Sequence, residues 1–412
     1  MPIWLVRLID RYAGVPICFG LTVLRRIGRV LGIDRPSTGE PRRILFIKMS
    51  EQGATVLIHR AIERAIGMVG RENVYFCVFE SNREILDVMD CIPRENILSL
   101  SDEGPWPMLR GVLWLMRRTR QLGIDTAIDL ELFARASAIV AYLTGAKRRV
   151  GLHRFSMEGL YRGDLMTHRV QHNPYLHIGV LADVLVQASR RDPNELPLAK
   201  IVPEPVIPLS LPPPVIAEAT REQIKELLRQ QGIDPHAVRL IVFNPKIDDI
   251  MPIRKWPRDR FISLARQLLE KAPDLAIVII GLASEHDAAE TMRREIGADR
   301  VANLAGAIRL DGLLALFDMA EVLVTSDSGP AHFATLTDIH TVVLFGPETP
   351  LVYGPPGLKG HVLHKGLACS PCLNALNHRR SRCDDNQCMK MISVEEVKAA
   401  VLDCLAQREM SI

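Results

Sequence analysis

EVLVTSDSGPAHFATLTDIHTVVLFGPETP, residues 321–350, sets two apolar runs around a stretch of small, polar and turn-forming residues. Val322–Thr325 and Thr341–Phe345 have the composition of buried strands, and residues 331–337 between them have the spacing of a short helix. Strand, loop, helix and strand in that order make one unit of a parallel sheet. Pro330 suits the first helical turn, where no N–H is required. Ser328 and Gly329 just before it can turn backbone N–H groups outward, so the loop is either an anion site or a plain surface turn. Asp327 repels a phosphate placed beside it; its expected task is a sugar hydroxyl or the loop itself. His332, one turn further in, can reach a phosphate oxygen or a sugar.

The same alternation continues in both directions. Ile44–Ile47, Val74–Phe79, Thr126–Leu130, Arg149–Gly151, Leu240–Phe243 and Ala276–Ile280 read as further strands. Helices are expected near 55–69, 82–90, 107–122, 134–144, 216–231, 258–271, 285–296, 310–319 and 393–406. Between the two groups, PEPVIPLSLPPP carries six prolines in residues 203–214. That density forbids a helix or a central strand and leaves an extended linker. The expected organisation is an arm over 1–40, a Rossmann-like domain over 41–202, the linker, and a second Rossmann-like domain over 215–412. A chain of 412 residues is the right length for two such cores.

Composition excludes little except nucleic-acid binding. The net charge is +3, and aromatic residues are only 5% with no basic stretch among them to stack bases. The arm is distinctive: Trp4, Leu5, Leu8, Ile9 and Tyr12 recur at helical spacing against Arg7 and Arg11, and Gly14 and Pro16 interrupt the pattern. Val23, Leu24, Ile27, Val30 and Leu31 then oppose Arg25, Arg26 and Arg29. The apolar run is too short to span a bilayer, which takes about 20 residues. The arm therefore lies in a membrane interface or packs on the protein's own surface. No cleavable signal peptide is legible, so a cytoplasmic location is expected, peripheral on the inner face of the membrane.

In open α/β sheets ligands bind outside the carboxyl ends of the strands. After Leu240–Phe243 that rule selects Lys246, Arg254, Lys255, Arg258 and Arg260, which suit a diphosphate or a solvated basic loop. After Ala276–Ile280 it selects Glu285, placed to hold a ribose diol or simply to favour a helix N-terminus. Cys18, Cys77 and Cys91 read as buried thiols. Cys369, Cys372, Cys383 and Cys388 have spacing for a four-thiolate zinc site, with free thiols, disulfides or an iron–sulfur cluster as alternatives.

Four stretches carry a family resemblance: NPKIDDIMPIRKWPRDRF (244–261), GLASEH (281–286), NLAGAIRLDGLLALFDMAEVLVTSDSGPAHFATLT (303–337) and VVLFGPETP (342–350). Together they resemble glycosyltransferase family 9, the ADP-heptose:lipopolysaccharide heptosyltransferases. The resemblance implies the GT-B fold, with two Rossmann-like domains facing a central cleft. It also implies an inverting transfer that needs no metal, from a nucleotide-diphosphate sugar to a lipid-linked glycan acceptor. On it, Ser328, Gly329 and Pro330 line the diphosphate site, Asp327 and His332 lie near the sugar, and Glu285 holds the ribose. Arg254 stands where the family usually has Lys. The cysteine cluster then belongs to the fold as a loop clamp away from the chemistry. The family's first strand ends in a Ser-x-x-Gly-Asp loop whose Asp is the expected base, but here KMSEQGATVL places Ala54 there. Glu51 is the first replacement and Glu131 the second, with Asp129 beside it. His177 and Arg135 are expected to meet the acceptor, with His168, His172, Arg162 and Arg169 near them, the alternative being a plain polar loop and core histidines. The alternative reading is a nucleotide-sugar-binding protein without transfer activity.

Overall fold

In the computed structural model, residues 3–34, 37, 39–156, 158–204, 213–245, 252–377 and 379–409 are described. The chain divides into two compact units, Met1–Val206 and Ile207–Ile412. The first holds β1 (Ile44–Ile47), β2 (Val74–Phe79), β3 (Ile97–Leu100), β4 (Thr126–Asp129), β5 (Arg148–His153) and β6 (His168–Gln171). The second holds β7 (Arg239–Asn244), β8 (Leu275–Ile279), β9 (Val301–Asn303), β10 (Val322–Ser326), β11 (His340–Phe345) and β12 (Gly360–His364). Every pairing is parallel, in the orders β3-β2-β1-β4-β5-β6 and β12-β11-β10-β7-β8-β9. Each is the doubly wound Rossmann order, and the winding reverses between β1 and β4 and between β7 and β10.

Helices cover both faces, so the interior strands are buried throughout and need apolar side chains on each face. β1 (ILFI) and β8 (LAIVI) show it. The strands not anticipated are β3, β6, β9 and β12, the four sheet edges. HRVQ in β6 and GHVLH in β12 keep polar residues that blur the pattern, while β3 and β9 are buried runs of only four and three residues. Also unanticipated is the helix Ile178–Ala188, which is buried on most sides and so lacks an amphipathic stripe.

The N-terminal arm forms α1 (Ile3–Tyr12) and α2 (Gly14–Val30). Pro16 does not interrupt it: the proline falls in the first turn of α2, where its missing N–H costs nothing. The carboxylate of Asp10 accepts from the backbone N–H groups of Arg135 and Ala136 at 2.8 and 2.9 Å and pairs with Arg135 Nη1 at 3.1 Å. Asp10 thus caps the helix Arg135–Leu143. Gly14 allows the approach, since a Cβ there would stand 2.8 Å from Arg135 Cδ. Arg25, expected on the polar outer face, is buried instead, pairing with Asp34 at 3.2 Å and Asp164 at 2.9 Å. Asp34 in turn holds Arg149 at 2.9 Å.

Candidate active site

The winding reversal of the second unit brings together the carboxyl ends of β7 and β10. Asn244, the last residue of β7, donates its side-chain amide to Thr325 Oγ1 at 2.9 Å and Ser328 Oγ at 3.0 Å. Ser328 Oγ donates onward to Ser326 O at 3.0 Å. The hydroxyl of Ser328 is therefore an internal strut, and its contribution to a ligand falls to its backbone. Gly329 and Pro330 open a helix of five residues, Gly329–Phe333. So short a helix has a weak dipole, which lowers the share of anion binding that the turn alone can supply.

Charge at this end comes from side chains. Arg254, in a 3-10 turn (Pro252–Arg254), lies 3.6 Å from Asp327 Oδ2 and pairs with Glu348. Glu348 follows β11 and is also 3.6 Å from Arg379. Burial pushes the carboxyl of Glu348 above its usual range and nearby Asp327 adds to the rise, while Arg379 and Arg254 act against it. Two guanidinium groups and two buried carboxylates thus meet beyond β10 and β11. Arg254 Nε is buried and finds no acceptor among the described residues, an N–H for which an anionic ligand is a natural partner. Lys255 follows Arg254 and is half-buried, whereas Lys246 lies outside the described residues. Arg258 and Arg260 are not ligand cations: the first pairs with Glu295 at 2.8 Å and the second donates to Ile392 O at 2.5 Å. Glu285 stands after β8 as anticipated, but one carboxylate oxygen accepts from Leu282 N at 2.6 Å. His332 is buried one turn into its helix.

The cysteine segment is a clamp close to this site, not remote from it. Ser370 Oγ donates to Gly346 O at 2.6 Å, and the N–H groups of Cys372 and Leu373 donate to Pro347 O at 3.0 Å. Asn386 donates to Ile253 O and Lys255 O at 3.2 and 2.8 Å. A Cβ on Gly346 would stand 2.7 Å from Met389 Cγ and 3.0 Å from Cys388 Sγ. The segment therefore braces the loops carrying Arg254 and Glu348, and it delivers Arg379. Burial raises the Cys388 thiol pKa, and Cys372, Cys383 and Cys369 are near enough to raise it further. Among the described residues no three metal-ligand side chains converge as a coordination set.

At the reversal point of the first unit, Glu131 spans β1 and β4. Its carboxylate accepts from Met49 N at 2.9 Å, Ser50 N at 3.0 Å and Ser50 Oγ at 3.2 Å, and pairs with Lys48 Nζ at 3.2 Å. With its oxygens so engaged, Glu131 is a loop clamp. Asp129 is fully buried and paired with Arg162, and burial raises its pKa. It has no path to a substrate hydroxyl. Glu51 differs: its side chain is 42% exposed, 3.4 Å from Lys48, and its backbone is left-handed with φ 68°. Arg135, expected at the acceptor, is spent on Asp10. His177 caps the helix Ile178–Ala188, its Nδ1 accepting from Gly179 N at 3.1 Å. His168 is buried in β6, and desolvation drops its pKa to about 4. His172 packs edge-on to Phe133 at 5.2 Å.

Glu348 was legible, since it sits in a quoted strand-end loop that the carboxyl-end rule selects. Arg379 and Lys48 had no local signal.

Two doubly wound parallel sheets, with charged and polar loops at the carboxyl ends of their central strands, define a GT-B protein. The family model of glycosyltransferase family 9 (heptosyltransferase) matches residues 112–381, more than half of the length, and the chain belongs to that family. It is 30% identical over 115 residues to lipopolysaccharide heptosyltransferase 2 of Salmonella typhimurium and of Escherichia coli. The match covers 27% of this chain and 32% of each relative, so it spans about a third of their length. Among solved structures it is similar to a glycosyl transferase family 9 protein from Veillonella parvula. That match has a TM-score of 0.70 at 18% identity and covers 90% of this chain and 100% of the other. It is also similar to the E. coli ADP-heptose lps heptosyltransferase II, with a TM-score of 0.65 at 21% identity, covering 89% and 99%. At those identities the two structures speak for the fold.

Proposed function

We propose that this protein is an inverting glycosyltransferase that moves a heptose-like sugar from a nucleotide diphosphate onto a lipopolysaccharide or other lipid-linked surface glycan precursor. ADP-heptose is the first donor to test, because relatives and a structural neighbour carry heptosyltransferase names. The observation that carries the reading is the cluster of Arg254, Arg379, Asp327 and Glu348 at the carboxyl ends of β10 and β11. Its guanidinium groups suit a diphosphate leaving group.

In the proposed step the acceptor hydroxyl oxygen bonds to the anomeric carbon as the bond to the diphosphate breaks on the opposite face. The hydroxyl proton passes to Glu51, and the electron pair leaves with the diphosphate, stabilised by Arg254 and the backbone N–H groups of Ser328 and Gly329. Asp327 and His332 orient the sugar, and Glu285, after β8, is assigned to the ribose. No step requires a metal. The arm is proposed to hold the protein on the inner face of the cytoplasmic membrane. A structural zinc rests on the spacing of the four cysteines along the chain; one zinc per chain in anaerobically purified protein supports it, and none returns the segment to plain packing.

A thermal-shift panel of nucleotide-sugars tests the donor. The right one stabilises the protein by about 2.7 kcal/mol at a hundredfold excess over Kd. Binding without transfer to extracted lipid acceptor would instead support the non-catalytic reading, for which Ala54 is the motive.

A further inference from the structure

We propose that one face of the first unit is a membrane-docking platform, formed jointly by α2 and by the helix Pro105–Gln121, and that its partner is an anionic lipid bilayer. For α2 this rests on the membrane reading of the arm. The second helix is new, since its sequence reads as an ordinary cover for the sheet.

Both helices lie on the same face of the sheet. Cys18 of α2, Leu115 of the 105–121 helix and Ala138, Val140 and Ala141 of the helix between them share one core cluster with Leu45, Ile47, Cys77 and Leu98. A helix covering a sheet ordinarily turns its large apolar side chains inward. These two also turn large apolar side chains outward. α2 buries Gly14, Cys18, Thr22 and Arg25, a small and polar stripe, and presents Phe19 at 62% exposure and Leu24 at 59%. The 105–121 helix sets Gly111 close to Leu100 and buries Leu115 and Thr119. Outward it shows Trp106 at 76% exposure, Leu109 at 49%, Leu113 at 50% and Trp114 at 45%. At 100° per residue Trp106, Leu109, Leu113 and Trp114 share one side of the helix with Arg110 and Arg117.

Charge selects the partner. Neither helix contains a single Asp or Glu, in a chain whose net charge is only +3. Arg26 and Arg29 on α2 and Arg110 and Arg117 on the other helix stand exposed among the apolar residues. Protein interfaces also take Trp with Arg, so what favours an anionic surface is four exposed arginines with no acid on either helix to balance them. Tryptophan, leucine and arginine mixed along a helix lying flat suit the boundary between acyl chains and anionic headgroups. No helix among the described residues is long and apolar enough to cross a membrane, so the contact is with the surface.

The arm cannot simply be deleted to test this, because Asp10, Cys18 and Arg25 belong to the body of the unit. Full-length protein is instead floated with vesicles of phosphatidylcholine, alone or with about 30% phosphatidylglycerol to supply the anionic surface. Three double variants are compared: Phe19→Ser/Leu24→Ser, Trp106→Ser/Trp114→Ser and Arg110→Gln/Arg117→Gln. Wild type should float with the anionic vesicles. Each aromatic or apolar pair should lower partitioning by about tenfold or more, and the arginine pair should lower it by a similar factor only where phosphatidylglycerol is present. Circular dichroism and the donor-induced thermal shift should stay at wild-type values. The assay involves no sugar transfer, so a failed donor leaves this result standing and the reverse also holds. Wild-type flotation of the Trp106→Ser/Trp114→Ser variant overturns the proposal. So does a wild-type dimer in sedimentation that this variant dissociates, because the face is then covered by a second copy.

Discussion

Replacing Glu51 by Gln removes one proton-accepting oxygen and keeps size and shape. Glu51 has a side chain 42% exposed just after β1, with Lys48 as a neighbour at 3.4 Å, where solvent screens its charge. A positioned general base contributes roughly 10²–10⁴ in rate, or about 3–5 kcal/mol of barrier. Glu51→Gln should therefore lower kcat by that factor, leave the donor KM within about twofold and move stability by no more than about 0.5 kcal/mol. The paired control is Glu131→Gln, the same chemical change a few ångströms away in a different role. Glu131 is 8% exposed and pairs with Lys48, which is itself 4% exposed. Removing one member of a buried pair costs about 3–5 kcal/mol, and a unit of this size loses about 2–4 °C of Tm per kcal/mol. Glu131→Gln should thus melt on the order of 10 °C lower, with activity lost through the loop rather than the proton. A third variant uses the backbone: at φ 68° a side chain is strained, so Glu51→Gly should stabilise the protein by about 1 kcal/mol while matching the kinetic loss of Glu51→Gln. Steady-state kinetics with the donor identified by thermal shift, together with melts of all three, read these outcomes. Full turnover in Glu51→Gln refutes the assignment, and a fallen Tm in that variant refutes the division of labour between the two carboxylates.

Arg254→Ala should cost about 3–5 kcal/mol in a melt and remove measurable nucleotide binding in calorimetry, because Asp327 and Glu348 are left buried beside one less cation. Gly346→Ala should destabilise by about 1–3 kcal/mol, since the new methyl meets Met389 and Cys388; trimming Met389 to Ala in the same chain should recover part of it. His168 titrates at about 4 when folded against 6.5 when free. A depressed pKa gives stability that is present above pH 6.5 and is lost as pH falls to about 4, on the order of 3 kcal/mol. Urea titrations across that window should show the loss in wild type and a flatter profile in His168→Gln.

Most of the eight interior strands were legible because a parallel strand covered on both faces is mainly apolar; of the four missed edges, β6 and β12 carry polar residues, and β3 and β9 are buried but only four and three residues long. The strand-end rule likewise found Arg254, Asp327 and Glu285 from position alone. Periodicity found the arm and its two apolar sets, and a helix near 107–122. A pattern of spacing gives the angle between residues on one helix, however, and not which side faces the core. That choice was made by Asp10 capping a distant helix and by Arg25 meeting Asp34 and Asp164, which turned α2 with its polar stripe inward. The carboxylates divide in the same way. Glu51, Asp129 and Glu131 are equivalent as letters at strand ends, and only the partners that folding brings, the Met49 and Ser50 amides for Glu131 and Arg162 for Asp129, separate an exposed carboxylate from two structural anchors. Local sequence sets the elements because their hydrogen bonds and apolar periods are local. Burial and ion pairing join residues far apart in the chain, and it is these that assign the roles.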